Sequence, residues 1–362
     1  MKKIALVPPM SFYFDALFEK ESPFFAPGRA DRVEYAFKQE LEARGYELIA
    51  TQEDSILHED VVAVLHYSHL YPTLIRKNPN KVHICFVMEP FACYSSKKGI
   101  QKLSKIMDYC ILWFTDMAEQ SERIFALPSF YNFHVNFQPP VLEQRSLLLA
   151  TVGGDKSSSH PRELYSKRRE VIDWFEHNAP DQFAFGGSGW GTPYDNYTTY
   201  RGRIACKLEF LSQAKFALCF ENIRDSGGNI SEKLFDAMFA GTVPVYWGAK
   251  DITDFVPENL FIDYRKVGSP EKLERLLSSM TAEEIEGYLR RIQTWLASDE
   301  KDRLSFSHCV DIIVDCIERG KQVTANPMLC RMMNKEMRMY EKRGISRVIY
   351  KRIREKICSK KP

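Results

Sequence analysis

The chain has 362 residues, 44% of them hydrophobic and 27% charged, which fits a folded two-domain protein and excludes a low-complexity or membrane-embedded chain. Its formal net charge of +2 is unevenly placed, because residues 331–362 hold 12 Lys/Arg against 3 Asp/Glu and leave the first 330 residues net acidic. Nothing outside that tail combines basic and aromatic residues as a nucleic-acid surface does, so no nucleic-acid partner is expected.

The start, "MKKIALVPPM", has two lysines and a short apolar run that prolines and charges soon interrupt; it predicts a first strand rather than a signal peptide. Next comes "SFYFDALFEKESPFFAPGRAD", a long loop whose Phe12, Tyr13, Phe14, Phe24 and Phe25 are candidates either for stacking on sugars or for covering the strand edge. A helix follows around 33–44, with Val33, Phe37 and Leu41 on one face, then the strands "YELIA", "VVAVLHY", "VHICFVM" and "YCILWF". A second series begins near Leu147, after Pro139-Pro140. It runs through the strand "LLLATVGG", a helix near 162–177, "FAFGG", a helix near 203–212 and "FALCFEN", and then a helix in "NISEKLFDAMFAG". "VPVYWG", "LFIDY" and three amphipathic helices complete it.

Strands alternating with helices predict parallel sheets. The economical architecture is α/β, with two doubly wound domains facing across a cleft, 1–140 and 141–330, followed by the basic tail 331–362. Ligands of such sheets bind at the carboxyl ends of the strands.

Nine cysteines form no Cys-x-x-Cys pair and lie mostly in apolar runs, which predicts reduced core thiols and a cytosolic compartment. No run approaches the ~18 apolar residues of a membrane span. The tail after Arg331 alternates apolar residues with Lys and Arg at helical spacing, so it is expected either to lie on anionic lipid, making the protein peripheral to the inner membrane face, or to dock on the acidic body.

One stretch, "CFENIRDSGGNISEKLFDAMFAGTVPVYWG", puts Lys233 in the first turn of a helix, where a cation opposes the macrodipole. A strand delivering Glu221 and Asn222, a flexible turn and a helix amino end make a site suited to an anion, and Lys233 would then face a phosphate. Glu232 could accept hydrogen bonds from hydroxyls of a ribose or a sugar. The plainer alternative is a capping box, with Asn229 as N-cap and Glu232 three residues on. No Walker or dinucleotide glycine motif is present. The loop "GGDKSSSHP", with Lys156, is a second candidate at a strand end, for the nucleotide or the acceptor. His66 and His69 are the closest histidine pair, but they follow a strand pattern and predict no metal site.

The stretch from "LEFLSQAKFALCFEN" to "VPVYWGA" resembles the donor signature of glycosyltransferase family 10, the α-1,3/1,4-fucosyltransferases. That signature reads F-E-N, a spacer, Y-[IV]-[ST]-E-K, then A-G-x-[VI]-P-[VI]-x-x-G. "SHPRELYSKRREVIDWF" and "CFVMEPFACYSS" extend the likeness over most of residues 80–265. The resemblance implies a GT-B fold, with the acceptor domain first and the GDP-sugar domain second. It implies donor contacts from Glu232, Lys233, Ser231, Asn229, Glu221 and Asn222, a phosphate contact from Arg168 or Arg169, and Glu89 as the base of an inverting transfer. Asn229 stands where the family has tyrosine, which leaves the donor sugar open between fucose and another GDP-linked sugar. A D-x-D pair is absent, so no metal cofactor is expected. The acceptor expected from the family and the tail is a GlcNAc-containing or related surface glycan, lipid-linked. A non-catalytic glycan-binding or membrane-scaffold protein is the alternative outside enzymes.

Overall fold

The computed structural model describes residues 1–7, 33–67, 70–87, 96–117 and 121–339. Glu89, the aromatic-loop residues Phe12, Tyr13, Phe14, Phe24 and Phe25, His69, and the tail from residue 340 onward lie outside the described residues.

Within them the chain builds two parallel sheets. The first holds β1 (Lys2–Leu6), β2 (Tyr46–Ala50), β3 (Val61–Tyr67), β4 (Val82–Val87), β5 (Tyr109–Leu112) and β6 (Ile124–Ala126), in the order β2-β1-β3-β4-β5-β6. The second holds β7 (Leu147–Val152), β8 (Phe183–Gly186), β9 (Ala214–Phe220), β10 (Val243–Trp247) and β11 (Ile262–Asp263), in the order β11-β10-β9-β7-β8. Strands covered on both faces need no polar alternation, and β4 accordingly reads Val-His-Ile-Cys-Phe-Val, buried throughout. Burial also pushes the thiols of Cys110 and Cys316 up to about 12, which keeps them protonated and unreactive.

The helices are α1 (Val33–Ala43), α2 (Pro72–Lys77), α3 (Lys97–Leu103), α4 (Tyr165–Asn178), α5 (Lys207–Leu211), α6 (Glu232–Phe239), α7 (Tyr264–Val267), α8 (Pro270–Ser279), α9 (Ala282–Ala297) and α10 (Phe306–Arg319), with a further helix over 327–339. α9 starts at a complete capping box, Thr281 with Glu284.

The last described helices do not stay with the second sheet. α10 buries Cys309, Val310, Ile313, Cys316 and Ile317 against Ile4, Leu6, Leu65 and Phe86 of the first sheet, beside Phe37 and Leu41 of α1. The chain therefore crosses between units twice, and Tyr131 sits at both crossings: its N–H donates to Leu304 O at 2.8 Å, and its carbonyl accepts from Phe306 N at 3.1 Å. The division at 140 thus marks only the first crossing, because the first core is completed by residues 306–319. Helix 327–339 likewise buries Cys330 and Met333 against Ile75, Ile100 and Met107. Asp108 ties the intervening segment down by accepting from Gln322 N and Val323 N, both at 2.8 Å.

His66, weighed above with His69, is fully buried and spends both ring nitrogens inside the protein. Its Nδ1 accepts from Tyr71 N–H at 3.2 Å, so Nε2 carries the hydrogen and donates to His83 Nδ1 at 3.0 Å. His83 Nε2–H then donates to Asn78 O at 2.9 Å. Burial lowers both rings, His66 well below its ordinary value and His83 from 6.5 to about 4. Folding therefore requires both rings neutral, whereas the unfolded chain takes up protons as pH falls through 6.5. The contribution is complete above that pH and is lost as the pH falls toward about 4. For His83 alone it amounts to roughly 3 kcal/mol. Denaturant midpoints measured from pH 7 to pH 4.5 should fall accordingly, and a His83→Asn variant should show a shallower slope.

Candidate functional site

In the second sheet the strand order reverses between β7 and β9. A doubly wound sheet opens a crevice at such a point, because the connections leave its carboxyl edge in opposite directions. The sequence sends glycines out of β7, Gly153 and Gly154, and polar residues out of β9, Glu221 and Asn222. A cavity of about 500 Å³ lies there. Lys156, Arg168, Glu221, Asn222, Asn229, Ser231, Glu232 and Lys233 all line it. Arg169 does not: its Nε donates to Asp155 Oδ1 at 3.0 Å and its Nη2 to the carbonyl of Lys156 at 2.7 Å. Arg168, one position earlier on α4, is the arginine that faces the cavity. The serines of "GGDKSSSHP" are not on the wall either, and Ser188 from the neighbouring loop is. The two loops clasp backbone to backbone, with a Cβ on Gly187 falling 2.2 Å from Gly153 O at a φ of +134°, so only glycine fits.

Arg168 is 4% exposed. Nη2 donates to Phe220 O at 2.9 Å, and Nη1 lies under Gly153, where a Cβ would approach it to 2.9 Å. Burial lowers the basicity of this guanidinium, while Tyr165, Glu221 and Glu232 act against that. An arginine does not deprotonate in a protein, so a positive charge stands desolvated in the cavity wall with no direct ion-pair partner among the described residues.

Lys233 is placed differently from the simple phosphate-facing lysine. Its Nζ lies 3.2 Å from Glu221 Oε2 and 3.0 Å from Ser231 Oγ. Glu221 is 1% exposed and also accepts from Ser231 N at 2.8 Å. The lysine in the first turn is thus explained in the first instance by a buried carboxylate from the adjoining strand, which supplies the negative charge that a helix amino end favours. The helix starts at Ser231, its N-cap, and not at Asn229. Asn229 instead adopts a left-handed conformation with φ 59°, where asparagine is better tolerated than bulky residues.

The first sheet reaches the same cavity. Trp113, just past β5, lines it and accepts at its carbonyl from Asn229 N at 2.7 Å. Gly228 beside it allows this approach, since a Cβ there would fall 2.1 Å from Trp113 O. Asp251 accepts from Gly228 N at 2.8 Å and from Thr115 Oγ1 at 2.7 Å, and Asp116 accepts from Gly227 N at 2.7 Å. The loop between β9 and α6 is therefore fixed against the carboxyl end of the first sheet.

Sequence reasoning missed Arg203, Lys207, Tyr165 and Asp236, all on the cavity wall. Arg203 and Lys207 fall inside the helix that the sequence predicts near 203–212. The helix begins only at Lys207, and 203–205 line the cavity as irregular chain. The missed signal was the charge at both ends of "RIACK". Lys207 Nζ lies 3.0 Å from Glu232 Oε1 and 2.9 Å from Asp236 Oδ2. Desolvation works against the charges of Lys207 and Glu232, but their mutual attraction dominates, raising the lysine and holding the glutamate far below the usual carboxylate range.

Residues 185–339 match the profile of the family described as "Glycosyltransferase family 10 (fucosyltransferase) C-term". The α-(1,3)-fucosyltransferase FucT of Helicobacter pylori is 50% identical over 54 residues, which are 15% of this chain and 11% of that protein. An α-(1,4)-fucosyltransferase of Arabidopsis thaliana is 43% identical over 63 residues, 17% of this chain and 16% of that protein. The matches thus span under a fifth of the relatives' own length. A crystal structure of α1,3-fucosyltransferase superposes over 90% of this chain and 92% of its own, with a TM-score of 0.58 at 16% identity. One of α1,3-fucosyltransferase with GDP-fucose gives 0.52 over the same shares, also at 16% identity. At such identity the likeness bears on the fold, which is GT-B. The signature residues from Glu221 to Lys233 are thus gathered on one cavity, and they lie within residues 185–339, the segment that matches the C-terminal domain of glycosyltransferase family 10.

Proposed function

We propose that the chain is an inverting glycosyltransferase that moves L-fucose from GDP-fucose to a GlcNAc-containing or related glycan. The observation that carries this reading is Arg168, a desolvated guanidinium in the wall of a cavity at the switch point of the sheet, whose direct acceptor among the described residues is a carbonyl. A diphosphate there would offset the cost of burying that charge and gain charge-assisted hydrogen bonds. The same cation would steady the nucleoside diphosphate as negative charge develops on it during departure. Glu232 would take hydroxyls of the donor. Glu89 would accept the proton of the attacking hydroxyl from the first-domain side. The matched relatives' names favour fucose as the sugar.

A metal ion has no part in this proposal, since Glu221 is spent on Lys233 and both Glu232 and Asp236 on Lys207. Another GDP-sugar is a second reading, favoured by the short amide of Asn229 on the cavity wall where the family pattern has an aromatic hydroxyl. The peripheral placement at the inner membrane face and the lipid-linked acceptor belong to the proposal too. The side chains of Cys330 and Met333 are already used against the first sheet, so lipid contact would fall to the exposed Met328, Met332 and Met339 and to residues 340–362. Among the described residues no helix is long and apolar enough to cross a membrane.

Calorimetric titration in EDTA with GDP, UDP, GDP-fucose and GDP-mannose tests the reading. Binding of GDP and GDP-fucose but not UDP is the expected result. Equal binding of GDP-mannose would favour the second reading, and no nucleotide binding would leave a non-catalytic glycan-binding protein.

A further inference from the structure

Glu232 and Asp236 stand four residues apart on one face of α6, where like charges repel. Lys207, the first residue of α5, reaches between them, 3.0 Å from Glu232 Oε1 and 2.9 Å from Asp236 Oδ2. Asp236 is itself held, because Tyr131 Oη donates to its Oδ1 at 2.8 Å. Tyr131 is the residue at both crossings between the units, so the series Tyr131, Asp236, Lys207, Glu232 runs from the crossing to the cavity. Besides Lys207, the charged groups around Glu232 among the described residues are Asp236 and Lys233 on its own helix and Arg168 from α4. Lys233 is engaged by Glu221, which leaves Lys207 as the cation bonded directly to Glu232 among the described residues.

We propose that Lys207 is a positioning residue for donor binding. It holds the Glu232 carboxylate, ionised and fixed in direction, on the cavity wall as the acceptor for a hydroxyl of the nucleotide sugar, without itself touching that sugar. This inference rests on the donor reading above. A lysine that bound the diphosphate directly would act independently of Glu232, whereas one that acts through Glu232 loses its effect once the carboxylate is gone.

The test is titration of GDP-fucose into the wild type, Lys207→Gln, Lys207→Arg, Glu232→Gln and the double variant Lys207→Gln/Glu232→Gln, between about pH 7.5 and pH 5. The wild type should bind with nearly constant affinity. Lys207→Gln should bind more weakly and lose roughly tenfold more toward pH 5, as a half-buried carboxylate deprived of its bonded cation takes up a proton. Lys207→Arg should restore the flat profile. Glu232→Gln and the double variant should agree within about twofold, the sign of two residues acting as one unit. A Lys207→Gln that binds like the wild type at every pH overturns the inference, and so does a double variant much weaker than Glu232→Gln. Should Lys207→Gln not fold, the comparison of the double variant with Glu232→Gln decides alone. A wild type that binds neither GDP nor GDP-fucose overturns the donor reading itself, and the inference with it.

Discussion

Replacing Arg168 by methionine should weaken GDP binding by roughly ten- to a hundredfold, the scale of about 1.5–3 kcal/mol that a hydrogen bond to a charged group contributes. The same substitution should leave the thermal midpoint measured without nucleotide unchanged or raise it. The guanidinium is desolvated, and among the described residues its direct acceptor is the carbonyl of Phe220. Exchanging such a charge for an apolar chain of similar length removes a burial cost as well as one hydrogen bond. The pairing of lost affinity with preserved stability separates a ligand-facing cation from one that holds the fold together. GDP affinity equal to that of the wild type would end the case for Arg168 as the phosphate contact. Arg169→Met, by contrast, should act mainly through the loop that its ion pair with Asp155 supports.

Glu89→Gln should leave GDP-fucose binding intact while transfer to an accepted glycan falls by roughly 10²- to 10⁴-fold, the usual worth of a general base. The described chain stops short of Glu89, but Val87, two positions earlier, is the last residue of β4 and pairs with Leu112 of β5. Its carbonyl accepts from Trp113 N at 3.1 Å, and Trp113 lines the cavity at the switch point of the second sheet. Val87, the last residue of β4, therefore lies next to a residue of the cavity wall. Single-turnover transfer measured with saturating GDP-fucose isolates this step from binding. Undiminished turnover would place the base elsewhere, and a matching loss of GDP-fucose affinity would make Glu89 a binding residue.

The part of the molecule that rests on local pattern was legible in the residues. β3 matches the strand pattern "VVAVLHY" at its observed limits and α9 the apolar helical stretch "AEEIEGYLRRIQTWLA", because strand period and helix period are properties of contiguous chain. The donor stretch was legible for a similar reason: β9, the loop after it and α6 are adjacent in sequence, so Glu221, Ser231, Glu232 and Lys233 come together without help from distant segments. What only the tertiary structure decided concerns partners far apart in the chain. An amphipathic helix shows that it has an apolar face but not which sheet will cover it, and α10 returns to the first sheet after the whole second sheet has intervened in sequence. Arg168 and Arg169 are alike as letters. Their rotation about α4 puts one into the cavity wall and turns the other to Asp155. Lys207 escaped notice because its meaning lies in Glu232 and Asp236, which chain pattern does not place beside it and three-dimensional packing does.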